Sequence, residues 1–178
     1  MNTKHLIHSS LFAALISIGT FIRIPLPFVP ITLQVLFIVL ASLLLGKKWG
    51  TISVLLYVLL GLIGLPVFSN GGGIGYVFQP TFGYLLAFIP ASYLIGKLSE
   101  KKNAWLSHWI ASLSGLTVIY VLGYLYYILI ARLYLEISID PAVLLIHAAL
   151  IPLPGDLISC LIASFTAVKL RRFQIFQN

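Results

Sequence analysis

The sequence predicts an all-α integral membrane protein with six transmembrane helices, and three observations lead to that fold class. Hydrophobic residues make up 60% of the 178 positions and charged residues only 8%, whereas soluble domains carry about 25% charged residues. The mean hydropathy is +1.07, and the apolar residues fall in long runs of the length a bilayer-spanning helix needs, about 20 residues. The basic residues sit in short clusters between those runs, the pattern that orients membrane proteins. A net charge of +7 could suit a nucleic acid, but no soluble segment is long enough to form such a module, so that class is excluded.

Six apolar segments can be drawn, over residues 6–23, 31–46, 49–65, 80–97, 105–131 and 141–168. The first follows Lys4 as a signal peptide would. No A-x-A cleavage site comes after it, and Arg23 and two prolines come next, so it is read as a retained helix. Its small residues recur every four positions, as Ser9, Ala13 and Ser17 and as Ser10 and Ala14. Such ridges let helix backbones approach closely in lipid, against an internal neighbour or a second membrane protein. An even number of spans puts both termini on one side. That side then holds Lys4, Lys47, Lys48, Lys97, Lys101, Lys102, Lys169, Arg171 and Arg172, and the other holds Arg23 and Arg132. Nine basic residues against two make both termini cytoplasmic. The 178 residues suit one transmembrane domain, residues 1–178.

Two outer connections are unusual. In Arg23–Gln34, prolines 25, 27 and 30 remove backbone donors and push each preceding residue toward extended geometry. The second, Leu65–Gly83, is rich in glycine and aromatic residues and carries no charge. Apolar backbone of this kind is tolerated at membrane depth only where protein or a cavity satisfies it. Loops 24–30 and 65–80 are therefore expected to cap an outward-facing ligand pocket. Gly71–Gly73 is not a nucleotide loop, because no Gly-Lys-Ser/Thr follows. Its glycines, with Gly72 and Gly73 foremost, suit close backbone approach to a ligand. Tyr76 and Tyr84 flank that loop, Tyr124 lies in the outer half of the fifth segment, and the amides Gln34 and Asn70 stand beside the two loops. Amides donate and accept at once, as a urea-bearing ligand requires.

The sixth segment carries the strongest single signal. Asp156 is flanked on both sides by long apolar sequence, and an ionised carboxylate at mid-bilayer costs roughly 2.5–3.5 kcal/mol on insertion scales. Pro152 and Pro154 precede it and interrupt the helical ladder, and Ser159 follows one turn later. Two readings stand for Asp156: an acceptor for ligand N–H groups, or a buried structural carboxylate. Cys160 is read as a buried inert thiol. His5, His8, His108 and His147 lack metal-ligand spacing, so no metal site is assigned, and no catalytic triad can be assembled.

Four motifs in order, Ile24–Gln34 (IPLPFVPITLQ), Leu59–Phe68 (LLGLIGLPVF), Gly71–Tyr76 (GGGIGY) and Pro80–Tyr84 (PTFGY), give the chain a resemblance to the BioY family. These are the biotin-capturing S components of energy-coupling-factor (ECF) transporters. The resemblance implies six helices, a multi-pass protein of a prokaryotic cytoplasmic membrane, and biotin uptake without catalysis by this chain. It also implies a coupling subunit and two ATPases as partners, with ATP hydrolysed on those partners and no cofactor here. Gln34, Asn70 and Asp156 match the family's ureido-recognising positions, and the Ser9, Ala13, Ser17 ridge with Ser10 and Ala14 resembles its docking face. Family members commonly place a lysine where Ser159 stands, and some carry a basic residue at the position of Tyr84. The biotin carboxylate is then left to Ser159, Tyr84, Arg23 or loop N–H groups, which leaves dethiobiotin or another small vitamin as the alternative cargo. An intramembrane enzyme using Asp156 and a histidine is the remaining alternative.

Overall fold

The computed structural model describes residues 3–100, 104–136 and 140–172. Among them, four helical stretches are long and apolar enough to cross a membrane. They are α2 (Gln34–Leu62), α3 (Phe82–Ser99), α4 (Trp105–Leu133) and a continuous run from Pro141 to Arg171. That run comprises α5 (Pro141–Leu145), a π turn (Ile146–Leu150) and α6 (Leu153–Arg172). A further helix, α1 (Thr3–Phe21), opens the chain. Lys101 and Lys102, two of the nine basic residues assigned to the inner side, lie outside the described residues.

Helix α2 is broken at Gly46, whose backbone (φ 74, ψ −177) is a conformation essentially restricted to glycine. The chain folds back there. The Gln34 side chain donates a 2.7 Å hydrogen bond to the Tyr57 hydroxyl, although 23 residues of straight helix would separate them by about 34 Å. Close packing joins the two arms, 34–45 and 47–62: a Cβ added at Gly50 would lie 2.8 Å from the Cα of Ser42. The break falls between the second and third apolar segments drawn from the sequence, at the Lys47–Lys48 cluster.

The helices form a ring. Helix α2 packs on α3 and on α6, α4 packs on both of these from the other side, and α1 lies outside against α2. Small residues set the spacing. The Ser42 hydroxyl donates to the Ile38 carbonyl at 2.7 Å and lies 2.7 Å from the Ser92 hydroxyl across α2 and α3, and a Cβ at Gly96 would lie 2.4 Å from the Lys47 nitrogen. Without water to drive association, close backbone approach of this kind is what holds helices together in lipid. At the end of the ring near Gly46, the Arg171 guanidinium donates to the Ser99 carbonyl (3.2 Å) and to the Leu43 carbonyl, joining the last turns of three segments. The Lys47–Glu100 ion pair there is 3.0 Å long and exposed, a kind worth ~0–1 kcal/mol.

At the opposite end, the proline-rich stretch is a hairpin. β1 (Arg23–Ile24) pairs antiparallel with β2 (Ile31–Thr32), with Arg23 opposite Thr32. All three prolines lie in the loop between the strands or at its edge, where no ladder bond is lost. The glycine-rich connection contains an antiparallel bridge between Phe68 and Gly71 and a short 3₁₀ helix, Ile74–Phe78, an element the sequence did not signal.

Replacing Gly46 by alanine imposes backbone strain of about 1–3 kcal/mol. The thermal unfolding midpoint in detergent is expected to fall for Gly46→Ala and to stay unchanged for Gly75→Ala. Position 75 has open space around its missing Cβ and no left-handed φ.

Candidate ligand-binding site

A small cavity, with about 50 Å³ of internal space open to water-sized groups, lies at the hairpin end of the ring. Each element contributes part of its wall. The hairpin supplies Val29, Pro30, Ile31 and Thr32, α2 supplies Gln34 and Val35, and the glycine-rich connection supplies Ser69 and Tyr76. Thr81 precedes α3, which adds Tyr84, Leu85 and Phe88. Helix α4 adds Ile119 and Tyr120, and the last span adds Pro152 and Asp156. Asp156 is the only charged residue among them.

The last span reaches the cavity because of its prolines. Pro152 has no N–H, so the carbonyl of Ala148, four residues earlier, loses its helical donor. The Tyr84 hydroxyl takes that role and donates to the Ala148 oxygen at 3.0 Å. The backbone around the gap adjusts into the π turn, where the Ile151 N–H reaches the Ile146 carbonyl at 2.9 Å. π turns of this kind recur at functional sites. Helix α6 restarts at Leu153 and carries Asp156 into the cavity wall in its first turn.

Asp156 is buried, and its Oδ2 accepts a 2.6 Å hydrogen bond from the Tyr120 hydroxyl. That partner was not legible from sequence: Tyr120 is one of nine tyrosines, 36 positions from Asp156 and without a local motif. A second network lies on the α2 side. Thr32 donates to Gln34 Oε1 at 3.0 Å, Gln34 donates to Tyr57, and the Tyr57 hydroxyl also lies 3.2 Å from Thr20 of α1 and 3.3 Å from the Val67 carbonyl. This network ties the hairpin, both arms of α2, α1 and the glycine-rich connection together.

Of the residues singled out from sequence, Gln34, Tyr76, Tyr84 and Asp156 line the cavity. The others stand elsewhere. Asn70 is exposed, and its Oδ1 lies 3.4 Å from the Arg23 guanidinium, which also donates to the Ser69 carbonyl. Its neighbour Ser69 is the residue that lines the wall, bonded to the Tyr76 hydroxyl at 3.0 Å. Two of the three glycine N–H groups are engaged within the protein: Gly73 donates to the Gly61 carbonyl (2.7 Å) and Gly71 to the Phe68 carbonyl (3.2 Å). Gly72 is required by packing, since a Cβ there would lie 2.1 Å from the Leu65 oxygen. The Tyr124 hydroxyl donates to the Pro141 carbonyl at 3.0 Å. Ser159 is buried one turn beyond the cavity wall.

The small-residue ridges of α1 divide. Ser9 and Ala13 are buried within the chain, with the Ser9 hydroxyl bonded to the Trp49 carbonyl at 3.1 Å, and Ser17 is half-buried. Ser10 and Ala14 are exposed, beside the exposed apolar side chains of Ile7, Leu11 and Ile18. Cys160 is a fully buried free thiol.

The BioY family model matches residues 1–175. The chain belongs to the BioY family. Among its relatives, a biotin transporter BioY of Thermotoga maritima is 39% identical over 97% of this chain and 98% of its own length. A probable biotin transporter BioY of Lysinibacillus sphaericus is 37% identical over 99% and 90%. A crystal structure of the S-component for biotin from an ECF-type ABC transporter superposes with a TM-score of 0.85 at 31% identity, covering 100% of this chain and 99% of that one. Within this BioY fold, the cavity with its single carboxylate is formed by all four ring helices together with both outer connections.

Tyr120→Phe removes the donor to a buried carboxylate, a loss worth roughly 1–3 kcal/mol. The ligand-free thermal midpoint is expected to drop. Because the two groups share one bond, the drop in a Tyr120→Phe, Asp156→Asn double variant should be smaller than the sum of the two single drops. Strict additivity would show that the bond contributes nothing.

Proposed function

We propose that this chain captures biotin at the outer face of a prokaryotic cytoplasmic membrane, as the S component of an ECF transporter, and serves biotin uptake. The observation that carries the reading is the capped cavity with Asp156 as its one charged wall residue, in a chain whose family relatives are biotin transporters along their full length. Biotin's ureido ring offers two N–H donors and one carbonyl acceptor. Asp156 supplies acceptor oxygens, one already oriented by Tyr120 and the other free for a ligand N–H. Gln34 keeps one amide hydrogen beyond its bond to Tyr57, which suits the ureido carbonyl. The apolar faces of Leu85, Phe88, Ile119 and Val35 suit the thiolane ring and the valerate chain.

We read residues 1–178 as one substrate-binding domain with six membrane crossings and both termini in the cytoplasm. The fold-back at Gly46 supports the count, because it makes two crossings of α2 beside α1, α3, α4 and the run from Pro141. The gathering of Lys47 and Arg171 at the end opposite the cavity supports the orientation. In this reading the protein is a transport subunit and not an enzyme. Accumulation is driven by a transmembrane coupling subunit and two ATPases that hydrolyse ATP. The exposed face of α1 around Ser10 and Ala14 is the part of the small-residue pattern left available to that coupling subunit.

Asp156→Asn is expected to weaken biotin binding by about 1.5–3 kcal/mol, the range for hydrogen bonds to charged groups, or roughly 10- to 150-fold in Kd. Isothermal titration of the purified chain reads this directly, with the thermal midpoint checking the fold. Undiminished affinity in a folded variant would exclude Asp156 from the site.

A further inference from the structure

Eight polar side chains line the cavity, and seven of them already have a hydrogen-bond partner within the protein. Thr81 is the exception. It stands immediately before α3, where a threonine hydroxyl ordinarily accepts a hydrogen bond from the first helical turn. It makes no such bond. Its Oγ1 is shut away from solvent and has no partner among the described residues. Buried hydroxyls are nearly always paired, so an unpaired one in the wall of a binding cavity is a group whose partner is supplied by the ligand.

We propose that Thr81 is a ligand-binding residue that donates its hydroxyl hydrogen to the carboxylate of the bound vitamin. The inference rests on the biotin reading above and specifies how this chain holds the end of the molecule opposite the ureido ring. Among the described residues no lysine, arginine or histidine lines the cavity, so the carboxylate is met by neutral donors, and of the lining hydroxyls described only that of Thr81 is not already engaged. The location fits as well. Helices α3 and α6 each pack against α2 and α4, and both contribute to the cavity wall. Thr81 and Asp156 stand on different elements of the cavity wall, Thr81 before α3 and Asp156 in α6, so the two ends of one ligand can meet them separately. Thr81 shares the wall with Ser69 and Tyr76. The Ser69 carbonyl accepts a hydrogen bond from the Arg23 guanidinium, and Arg23 is not among the residues that line the cavity.

The experiment is isothermal titration of the purified full chain in detergent with two ligands: biotin, and an analogue whose valerate carboxyl is replaced by methyl. For Thr81→Val, Kd for biotin is expected to rise about tenfold or more while Kd for the analogue stays unchanged. Thr81→Ser keeps the hydroxyl and should bind biotin within about threefold of the unsubstituted protein, which separates loss of a donor from loss of fold. Unchanged biotin affinity in Thr81→Val, or an equal loss for both ligands, overturns the assignment of Thr81 and leaves the biotin reading standing. If the unsubstituted chain itself does not bind biotin, the biotin reading fails and this inference fails with it.

Discussion

A backbone carbonyl or N–H inside a bilayer has no water to bond to, and every departure from helix in this protein is governed by that constraint. The last span is the clearest case. Pro152 deprives the Ala148 carbonyl of its donor, and in lipid such a gap is tolerated only if another group closes it. Tyr84, from a helix that is not adjacent in the ring, closes it. The interruption and its repair place Asp156 in the wall, because α6 begins afresh with its first turn facing the cavity. The same constraint governs the glycine-rich connection. The N–H groups of Gly73 and Gly71 turn back onto Gly61 and Phe68 and are satisfied within the protein.

The cavity's polar atoms are accordingly arranged in pairs. Tyr120 holds one oxygen of Asp156, Thr32 and Tyr57 hold the two ends of the Gln34 amide, and Tyr76 holds Ser69. Each pairing satisfies a group that burial would otherwise leave exposed to a low dielectric, and each fixes the direction in which the remaining lone pair or hydrogen points. Side chains locked in this way reduce the ordering that a ligand must impose on arrival. A cavity that is polar through a few oriented groups, with apolar walls elsewhere, suits a small molecule bearing hydrogen-bonding functions on a mostly hydrocarbon frame.

How much of this the sequence disclosed depended on whether a residue carried its own cost. Asp156 announced itself because a carboxylate in apolar sequence is expensive at any fold, and Pro152 and Pro154 because a missing N–H is a fact about the residue alone. The helical runs and the break near Lys47 followed from hydropathy and charge. Tyr120, Ser69 and Thr81 announced nothing, since a tyrosine, serine or threonine is unremarkable until the fold fixes its neighbours. Asn70 and Ser69 illustrate the margin: adjacent residues in one turn, of which the more conspicuous amide faces out to Arg23 and the plainer hydroxyl faces the cavity. The small-residue pattern of α1 was legible as a pattern, but only the packing against α2 divides it into a buried Ser9–Ala13 side and an exposed Ser10–Ala14 side.

The contacts that join the two caps differ in kind from those beneath them. The hairpin meets the glycine-rich connection through Arg23, an exposed side chain bonded to a carbonyl and an amide, and meets the π turn through Phe28, whose ring lies 5.2 Å from that of His147. Below, the ring is held by fully buried serines, by glycines with no room for a Cβ and by the Arg171 guanidinium across three segments. Segments with few buried contacts and solvent-exposed hydrogen bonds open at the low end of a protein's stability range. The hairpin tip is thus the part of this end that rearranges at least cost, whereas the glycine-rich connection is anchored by the buried Phe68 and Tyr76 and by the close packing of Gly72. The carboxylate and its tyrosine are attached to the ring helices and do not depend on the hairpin's exposed contacts. A cavity built in this way can open at the hairpin without breaking the bond between Tyr120 and Asp156.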